Sequence, residues 1–445
     1  MKLADYIRQV PQPMTKETCC GVSEKERAHL RELLYREIPS ERIARLLSQG
    51  RERARRELTA SIEQILSAHD FAPMSDIDRL ALIEHTLDMV LGLGPIEKML
   101  KDDSVTEIMV NGPRSVFFER DGIICSCDER YDSEEQLRLV IDRIVSPLGR
   151  RVDEQCPIVN ARLPEGHRVN VVIPPLSING TTLTIRKFRA QSFTLAELVG
   201  MDALSPEMAQ LLSWAVRARK NIAVSGGTGG GKTTLLNALS RLIPHEERVI
   251  TIEDSAELRF DQHPHVVRLE ARLANAEGRG SVTIRELVTN ALRMRPDRIV
   301  VGECRGTEAL DMLQAMNTGH DGSLTTLHAN SPSEVIPRLV MMVRYGMDLP
   351  TEIIEEQIAS ALDLVVQQDR LSGGKRRITQ VAMYGENDAH GRRGFVPIVS
   401  WDRRTQRYEW GELPSWIEDL PYMNVATEAE VRQWVQSVRR CCLAA

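Results

Sequence analysis

The sequence predicts an α/β protein: a C-terminal domain built on a parallel sheet flanked by helices, preceded by a mixed α/β domain and a small N-terminal helical module. Three observations predict it. Residues Asn221 to Thr234 (NIAVSGGTGGGKTT) read as a short buried strand, a glycine-rich loop and the opening of a helix. Downstream, the short β-branched runs Val249 to Ile252 and Ile299 to Val301 alternate with helical patterns at Lys232 to Leu242, Ile284 to Arg293 and Glu308 to Met316. Upstream, strand-like runs are joined by the hairpin-grade turns Asn111-Gly112 and Asp121-Gly122.

In chain order, residues 1 to about 20 are unpatterned and read as a loose arm. Three short amphipathic helices follow. They are marked by Leu30, Leu33 and Leu34, then Ile43, Leu46 and Leu47 after the Pro39-Ser40 break, then Leu58, Ile62, Ile65 and Leu66. The basic run Arg51, Arg53, Arg55 and Arg56 is interleaved with Glu52 and Glu57, as on a solvated helix face. Ser75 and Asp78 have the spacing of a helix cap before an apolar stripe of Ile77, Leu80, Ile83, Leu87 and Val90, which Gly92, Gly94 and Pro95 stop. Strands are expected at Glu107 to Val110, Val116 to Arg120, Val169 to Ile173 and Thr182 to Ile185, with a helix from Glu134 to Val145. The expected domains are an arm and helical module (1–74), the mixed α/β domain (75–188), a linker (189–199) and the parallel-sheet domain with a turn-rich, charged tail (200–445).

Composition narrows the function. The 445 residues are 42% hydrophobic and 27% charged, as in an ordinary globular protein with ample core. A net charge of −6 and an aromatic content of 4% argue against a chain whose main business is coating nucleic acid. No apolar stretch reaches a membrane span and MKLADYIRQV has no signal-peptide core, so a cytoplasmic location is expected. The eight cysteines show no C-x-x-C spacing, which speaks for reduced thiols and against a zinc site.

The chemistry centres on the glycine loop. Gly226, Gly231, Lys232 and Thr233 fill G-x-x-x-x-G-K-[ST]. Glycines at 226, 229, 230 and 231 let the backbone fold tightly with its N–H groups turned towards a phosphate, and the helix start adds partial positive charge. Lys232 is placed to reach the β- and γ-phosphates of ATP, and the Thr233 hydroxyl to hold Mg²⁺. Glu253 and Glu303 each end a predicted strand, where a carboxylate can orient water or ligate Mg²⁺ through water. His320 and His328 bracket a polar, hairpin-like segment containing Thr325 and Thr326, a composition that suits a loop facing phosphate.

The order of these segments resembles the type II/type IV secretion ATPase superfamily. After the phosphate loop come TIEDSAEL (Thr251 to Leu258), RMRPDRIVVGECRG (Arg293 to Gly306) and TGHDGSLTTLHAN, which correspond to that family's Asp box, Walker B and His box. LGLGPIEKMLKDDSVTEIMVNGP (Leu91 to Pro113), ARLPEGHRVNVVIPPLSINGTTLTIRKF (Ala161 to Phe188) and ASALDLVVQQDRLSGGKRR (Ala359 to Arg377) are similar to the branch that powers tight-adherence, Flp-type pili. The resemblance implies a RecA-like P-loop ATPase domain behind a PAS-like α/β domain. It also implies a homohexameric ring and work on inner-membrane pilus or secretion platform proteins at the cytoplasmic face, peripheral to the membrane through those partners, with no nucleic acid. It makes Gly226, Gly227, Thr228, Gly229, Gly230, Gly231, Lys232, Thr233 and Thr234 the phosphate and Mg²⁺ cradle. Glu253 would polarise water, Glu303 act at Mg²⁺, and His328 contact the γ-phosphate region. Which glutamate is the general base stays open. The strand before Glu303 lacks an Asp at the metal-holding position, as is normal there, and Cys304 replaces an apolar residue. Family motors recruit arginines from the N-terminal domain; Arg168 and Arg186 are the candidates, with no obvious acidic partner nearby in sequence. The competing expectations are a RecA-like nucleic-acid translocase or conjugation-type motor, and a scaffold that binds ATP without turnover.

Overall fold

The computed structural model describes residues 22–443 except 40–41, 44, 47–48, 121, 189–192, 261, 273, 275–278, 372–373 and 387–392. The expected arm at 1–20, Leu47, Asp121 and the first part of the expected linker lie outside the described residues. The chain divides into two compact units, Met1–Arg189 and Ala190–Ala445.

In the first unit, helices α1 (Glu24–Glu37), α2 (Arg51–Ala68) and α3 (Asp76–Leu91) pack together. Ser23 and Ser75 cap α1 and α3, each accepting the N–H three residues on. Leu30, Leu34, Leu58, Ile62 and Ile65 are fully buried, as their spacing predicts. Arg53 and Arg55 face outward in pairs with Glu57 and Glu84. One boundary shifts. The sequence reading starts the mixed α/β domain at residue 75, but α3 buries Leu82, Ile83, Leu87 and Val90 in the core that α1 and α2 share. Its first turn runs past that core, so Ile77 and Leu80 are 80% and 63% exposed rather than part of a buried stripe.

A short helix α4 (Glu97–Lys101) leads into six antiparallel strands: β1 (Val105–Asn111), β2 (Val116–Arg120), β3 (Ile123–Cys127), β4 (Ile158–Arg162), β5 (Arg168–Val172) and β6 (Thr182–Arg186). Their order is β3-β2-β1-β6-β5-β4. Helix α5 (Glu134–Val145) contributes Leu137, Val140, Ile141 and Ile144 to the core of this sheet. Strands β3 and β4 were not expected, because their exposed, mixed-polarity residues show little alternation.

The second unit begins inside the expected linker. Thr194 and Glu197 form a reciprocal capping box on α6 (Leu195–Gly200), and Leu195 and Leu198 are buried. Helix α7 (Pro206–Arg217) follows. A nine-stranded sheet then forms from β7 (Ile222–Ser225), β8 (Val249–Glu253), β9 (Val266–Glu270), β10 (Arg298–Cys304), β11 (Leu324–Leu327), β12 (Leu364–Arg370), β13 (Arg376–Glu386), β14 (Arg393–Asp402) and β15 (Arg407–Trp410). Its order is β15-β14-β13-β12-β7-β11-β10-β8-β9. Strands β12 through β9 of that order pair in parallel, while β13, β14 and β15 extend it antiparallel. The tail is therefore ordered structure rather than a run of turns, and α13 (Glu428–Leu443) packs Trp434 and Val438 back onto the core.

Alternation splits the parallel strands between two cores. Ile222, Val224, Leu364 and Val366 face one, with α6, α7 and α8 (Lys232–Ser240); Ala223, Ile250, Ile252 and Val365 face the other. The second core is closed by α9 (Ile284–Ala291), α10 (Glu308–Asn317), α11 (Val335–Arg344) and α12 (Thr351–Ala361). Burial on both faces explains why these strands read as unbroken apolar runs.

Candidate active site at the carboxyl edge of the parallel sheet

The register puts Ser225, Cys304, Leu327 and Gln367 at one level of the sheet, so β7, β8, β10 and β11 end along one edge, past which β12 runs on to Arg370. The glycine loop leaves β7 there. Gly226 has φ +153° and Gly231 φ +98°, conformations that disfavour any side chain. Helix α8 starts at Lys232, and no side chain caps it. Its first N–H groups are thus left for another acceptor.

Lys232 is 8% exposed; its Nζ donates to the carbonyls of Gly226 (3.0 Å) and Gly227 (3.1 Å). The same ammonium stands 3.4 and 3.5 Å from the two ring nitrogens of His328. His328 Nε2 lies 2.7 Å from Glu303 Oε1, and Arg305 Nη2 donates to Glu303 Oε2 at 2.5 Å. A chain of contacts thus runs from the loop lysine through imidazole to a carboxylate and an arginine. Partial burial, then the Lys232 charge, hold the His328 pKa below its ordinary value, so the ring is neutral at neutral pH.

Glu253 lies deeper, 3% exposed. Its Oε1 accepts the N–H groups of Glu257 (2.7 Å) and Leu258 (2.9 Å), while Oε2 is buried without a donor among the described residues. Burial outweighs the two N–H donors and pushes its pKa up to about 7. Gly302 makes room: a Cβ there would come within 2.8 Å of Glu253 Cγ. The backbone of Gly302 is held in turn by Thr326 Oγ1, which donates to its carbonyl at 2.8 Å. Glu253 and Glu303 therefore differ: one is a buried carboxyl poised near neutrality, the other sits among basic partners.

Among the described residues no cluster of three or more His, Cys, Asp or Glu could hold a metal ion. Mg²⁺ needs only a few hard oxygen ligands, because it keeps waters and relies on substrate phosphates; a hydroxyl such as that of Thr233 and a carboxylate such as that of Glu303 are of the type it takes.

The two histidines separate. Leu324–Leu327 is a buried central parallel strand, not a hairpin-like segment, so His328 and His320 flank opposite ends of it. His320 Nδ1 lies 3.2 Å from the carbonyl of Ala315 at the end of α10, away from the glycine loop. A four-residue buried run cannot be told from a hairpin arm by periodicity alone. Arg168 and Arg186 belong to the first unit. They face each other across β5 and β6. Arg186 has an acidic neighbour distant in sequence, Glu107 on β1 at 3.8 Å, and the Arg168 guanidinium lies 5.7 Å from the Phe188 ring. Cys304 is buried, packed against Met342.

Sequence reasoning missed Gln367, Gln368 and Arg376, which flank the loop from β12 and β13. Ser225 Oγ donates to Gln367 Oε1 (2.6 Å), and Arg376 Nε donates to the Gly229 carbonyl (3.0 Å). Their contacts with the end of β7 and with the loop, across about 140 residues of chain, reveal them.

The chain is similar in sequence to known proteins over most of its length. The family described as "Type II/IV secretion system protein" matches residues 90–387. A "putative conjugal transfer protein" of Mycobacterium tuberculosis is 38% identical over 336 residues, covering 74% of this chain and 94% of its own. The type IV secretion system protein VirB11 of Bartonella henselae is 32% identical over 338 residues, 67% of this chain and 94% of its own. Among solved structures, the VirB11 ATPase of the Brucella suis type IV secretion system is 31% identical, covering 66% of this chain and 97% of its own with a TM-score of 0.36. With its glycine loop, two strand-end glutamates and histidine on one sheet edge, the chain belongs to the type II/IV secretion system protein family.

Proposed function

We propose that this protein is the motor ATPase of a type II/IV secretion-type machine. It hydrolyses ATP as a homohexameric ring at the cytoplasmic face of an inner-membrane assembly, and its work is assembly of a Flp-type pilus or export of protein. The observation that carries the reading is the contact chain Lys232–His328–Glu303–Arg305 at the glycine loop, with the buried Glu253 beside it.

In this reading Gly226 to Thr234 cradle the phosphates of ATP, and Lys232 exchanges its two carbonyl acceptors for β- and γ-phosphate oxygens. Thr233 and Glu303 hold Mg²⁺, which when bound neutralises charge on the β- and γ-oxygens. Glu253 orients the attacking water and accepts its proton, a role suited to a carboxyl whose pKa lies near 7. His328, neutral and in touch with both Lys232 and Glu303, reports the γ-phosphate to the metal carboxylate. Arg168 and Arg186 supply further positive charge in the assembled ring.

Two variants of the purified protein test this. Lys232→Ala removes the charge the phosphates need, a loss of several kcal/mol (about 3 or more) in transition-state stabilisation. Glu303→Gln keeps shape and nucleotide binding but stops hydrolysis; turnover at the native rate in that variant refutes the role given to Glu303.

A second reading, a conjugation-type motor, is favoured by the name of the Mycobacterium tuberculosis relative. It predicts that DNA stimulates the ATPase. The net charge of −6 and the 4% aromatic content weigh against direct DNA handling by this chain.

A further inference from the structure

The glycine loop is not free-standing: a second, discontinuous element presses on it. Strand β12 runs parallel to β7 and pairs antiparallel with β13, and the ladder between β12 and β13 slips at Gln367/Gln368. The extra residue, Thr379, lies on β13, while β12 runs on past Gln367, its last partner on β7, and so leaves its edge facing the glycine loop. Here the Gln368 carbonyl faces the loop so closely that a Cβ on Gly226 would overlap it and one on Gly230 would stand 3.1 Å away. A Cβ on Gly231 would meet Gln368 Nε2 at 2.9 Å and Arg376 Cδ at 3.0 Å. These glycines therefore answer to β12 and β13 as well as to any phosphate. Arg376, the first residue of β13, also donates from Nε to the Gly229 carbonyl at 3.0 Å. Gln368 is 3% exposed, and its Oε1 is buried without a donor among the described residues. A buried amide oxygen without a donor carries a desolvation cost, and the Nε2 end of the same amide lies against Gly231.

The geometry points to Arg376 and Gln368 as positioning residues for the nucleotide. The β12–β13 pair clamps Gly226 to Gly231 from outside, and the clamp holds the loop in the shape that binds a diphosphate. Arg376 fixes the carbonyl of Gly229, so that the peptide N–H groups after it stay turned towards the ligand, and it places a guanidinium charge beside the loop. Gln368 walls off Gly231, immediately before the first turn of α8. Both act through the loop, so they change ground-state binding of ATP and ADP alike and leave the chemical step to Glu253 and Glu303. The inference rests on the reading of Gly226 to Thr234 as the nucleotide cradle.

The test is a binding titration of the full-length protein with a fluorescent ADP and a non-hydrolysable ATP analogue, run beside steady-state ATPase kinetics and thermal unfolding without nucleotide. Losing one charge-assisted hydrogen bond predicts that Arg376→Ala raises both dissociation constants and KM about tenfold, with kcat within about twofold of native. Arg376→Lys, which keeps a cationic donor, recovers part of that loss. Gln368→Met, equal in length and apolar, also weakens both nucleotides while leaving the melting temperature at or above native. Native affinity in Arg376→Ala overturns the proposal, as does a fall in kcat with unchanged affinity. If Arg376→Ala itself unfolds, Gln368→Met decides: native affinity in that folded variant overturns the clamp. Lys232→Ala in the same titration keeps the two ideas apart. Lost binding there with native binding in Arg376→Ala sinks the clamp alone, whereas native binding in Lys232→Ala sinks the cradle.

Discussion

Glu253 carries a cost that its strand alone does not explain. Its two backbone donors favour the carboxylate, yet burial prevails and its pKa rises from 4.5 to about 7. A raised folded-state value favours the protonated form, so the stability it confers is complete below about pH 4.5 and is lost as pH rises through about 7. Glu253→Gln has no such titration. The stability of the native protein relative to that variant should therefore fall, by on the order of 3 kcal/mol, between pH 5 and pH 9. Any constant offset from the new amide cancels in this difference. Chemical denaturation of both proteins across that range checks it, and parallel curves would remove Glu253 from the list of perturbed carboxyls. At the same residue, kcat/KM should climb as the carboxylate forms and level off above about pH 7 if Glu253 is the base. Glu253, Glu303, Lys232 and His328 were legible in the sequence because each sits next to a local signal, a strand end or the glycine loop. Gly302 was not, since its reason for being glycine is the Cγ of a residue on another strand.

Elements were legible where their pattern is local and obscured where partners are distant. Helix α5 has the predicted bounds Glu134–Val145, and β11 covers the predicted run Leu324–Leu327. The polarity of its two threonines suggested a loop, but Thr325 and Thr326 are buried between β7 and β10. Strands β14 and β15 were hidden because an antiparallel extension with one half-exposed face mixes charged and apolar residues, which reads as a tail. Helix α6 had a signal that went unused: Thr194-x-x-Glu197 before Leu195 and Leu198. In the structure Thr194 Oγ1 accepts the Glu197 N–H at 3.2 Å, and Glu197 Oε2 accepts the Thr194 N–H at 2.7 Å. Thr194→Ala should cost about 1 kcal/mol in local stability. Hydrogen exchange of the α6 amides, compared between native and variant, measures this directly; unchanged protection would mean that burial of Leu195 and Leu198 alone holds the helix.

At the scale of the whole molecule the question is what the first unit contributes to chemistry on the second. Its sheet carries an arrangement that sequence could only suggest: Arg162 faces Arg168 across β4 and β5, and Arg168 faces Arg186 across β5 and β6. Like charges directly opposite on neighbouring strands are unfavourable. Glu107 offsets Arg186 only loosely, at 3.8 Å with both side chains well exposed, and Phe188 offers its ring face to Arg162 and Arg168. Under the proposed function these arginines supply, in the assembled ring, positive charge to the γ-phosphate in the transition state, whose charge a single loop lysine does not balance. A supplied arginine is worth roughly 10³- to 10⁵-fold in rate in phosphoryl transfer. Arg186→Ala should therefore lower kcat at least about tenfold, with folding and ring formation unchanged, and Arg168→Ala should do likewise if it shares the role. Mass measurement with a non-hydrolysable analogue and Mg²⁺ belongs in the same experiment, because the expected oligomer is a hexamer. Loss of rate with hexamers intact assigns the arginines to chemistry. Native rates from both variants in intact hexamers would make the row structural and leave Arg272 and Arg305 as the remaining sources of positive charge, Arg305 being already bound to Glu303.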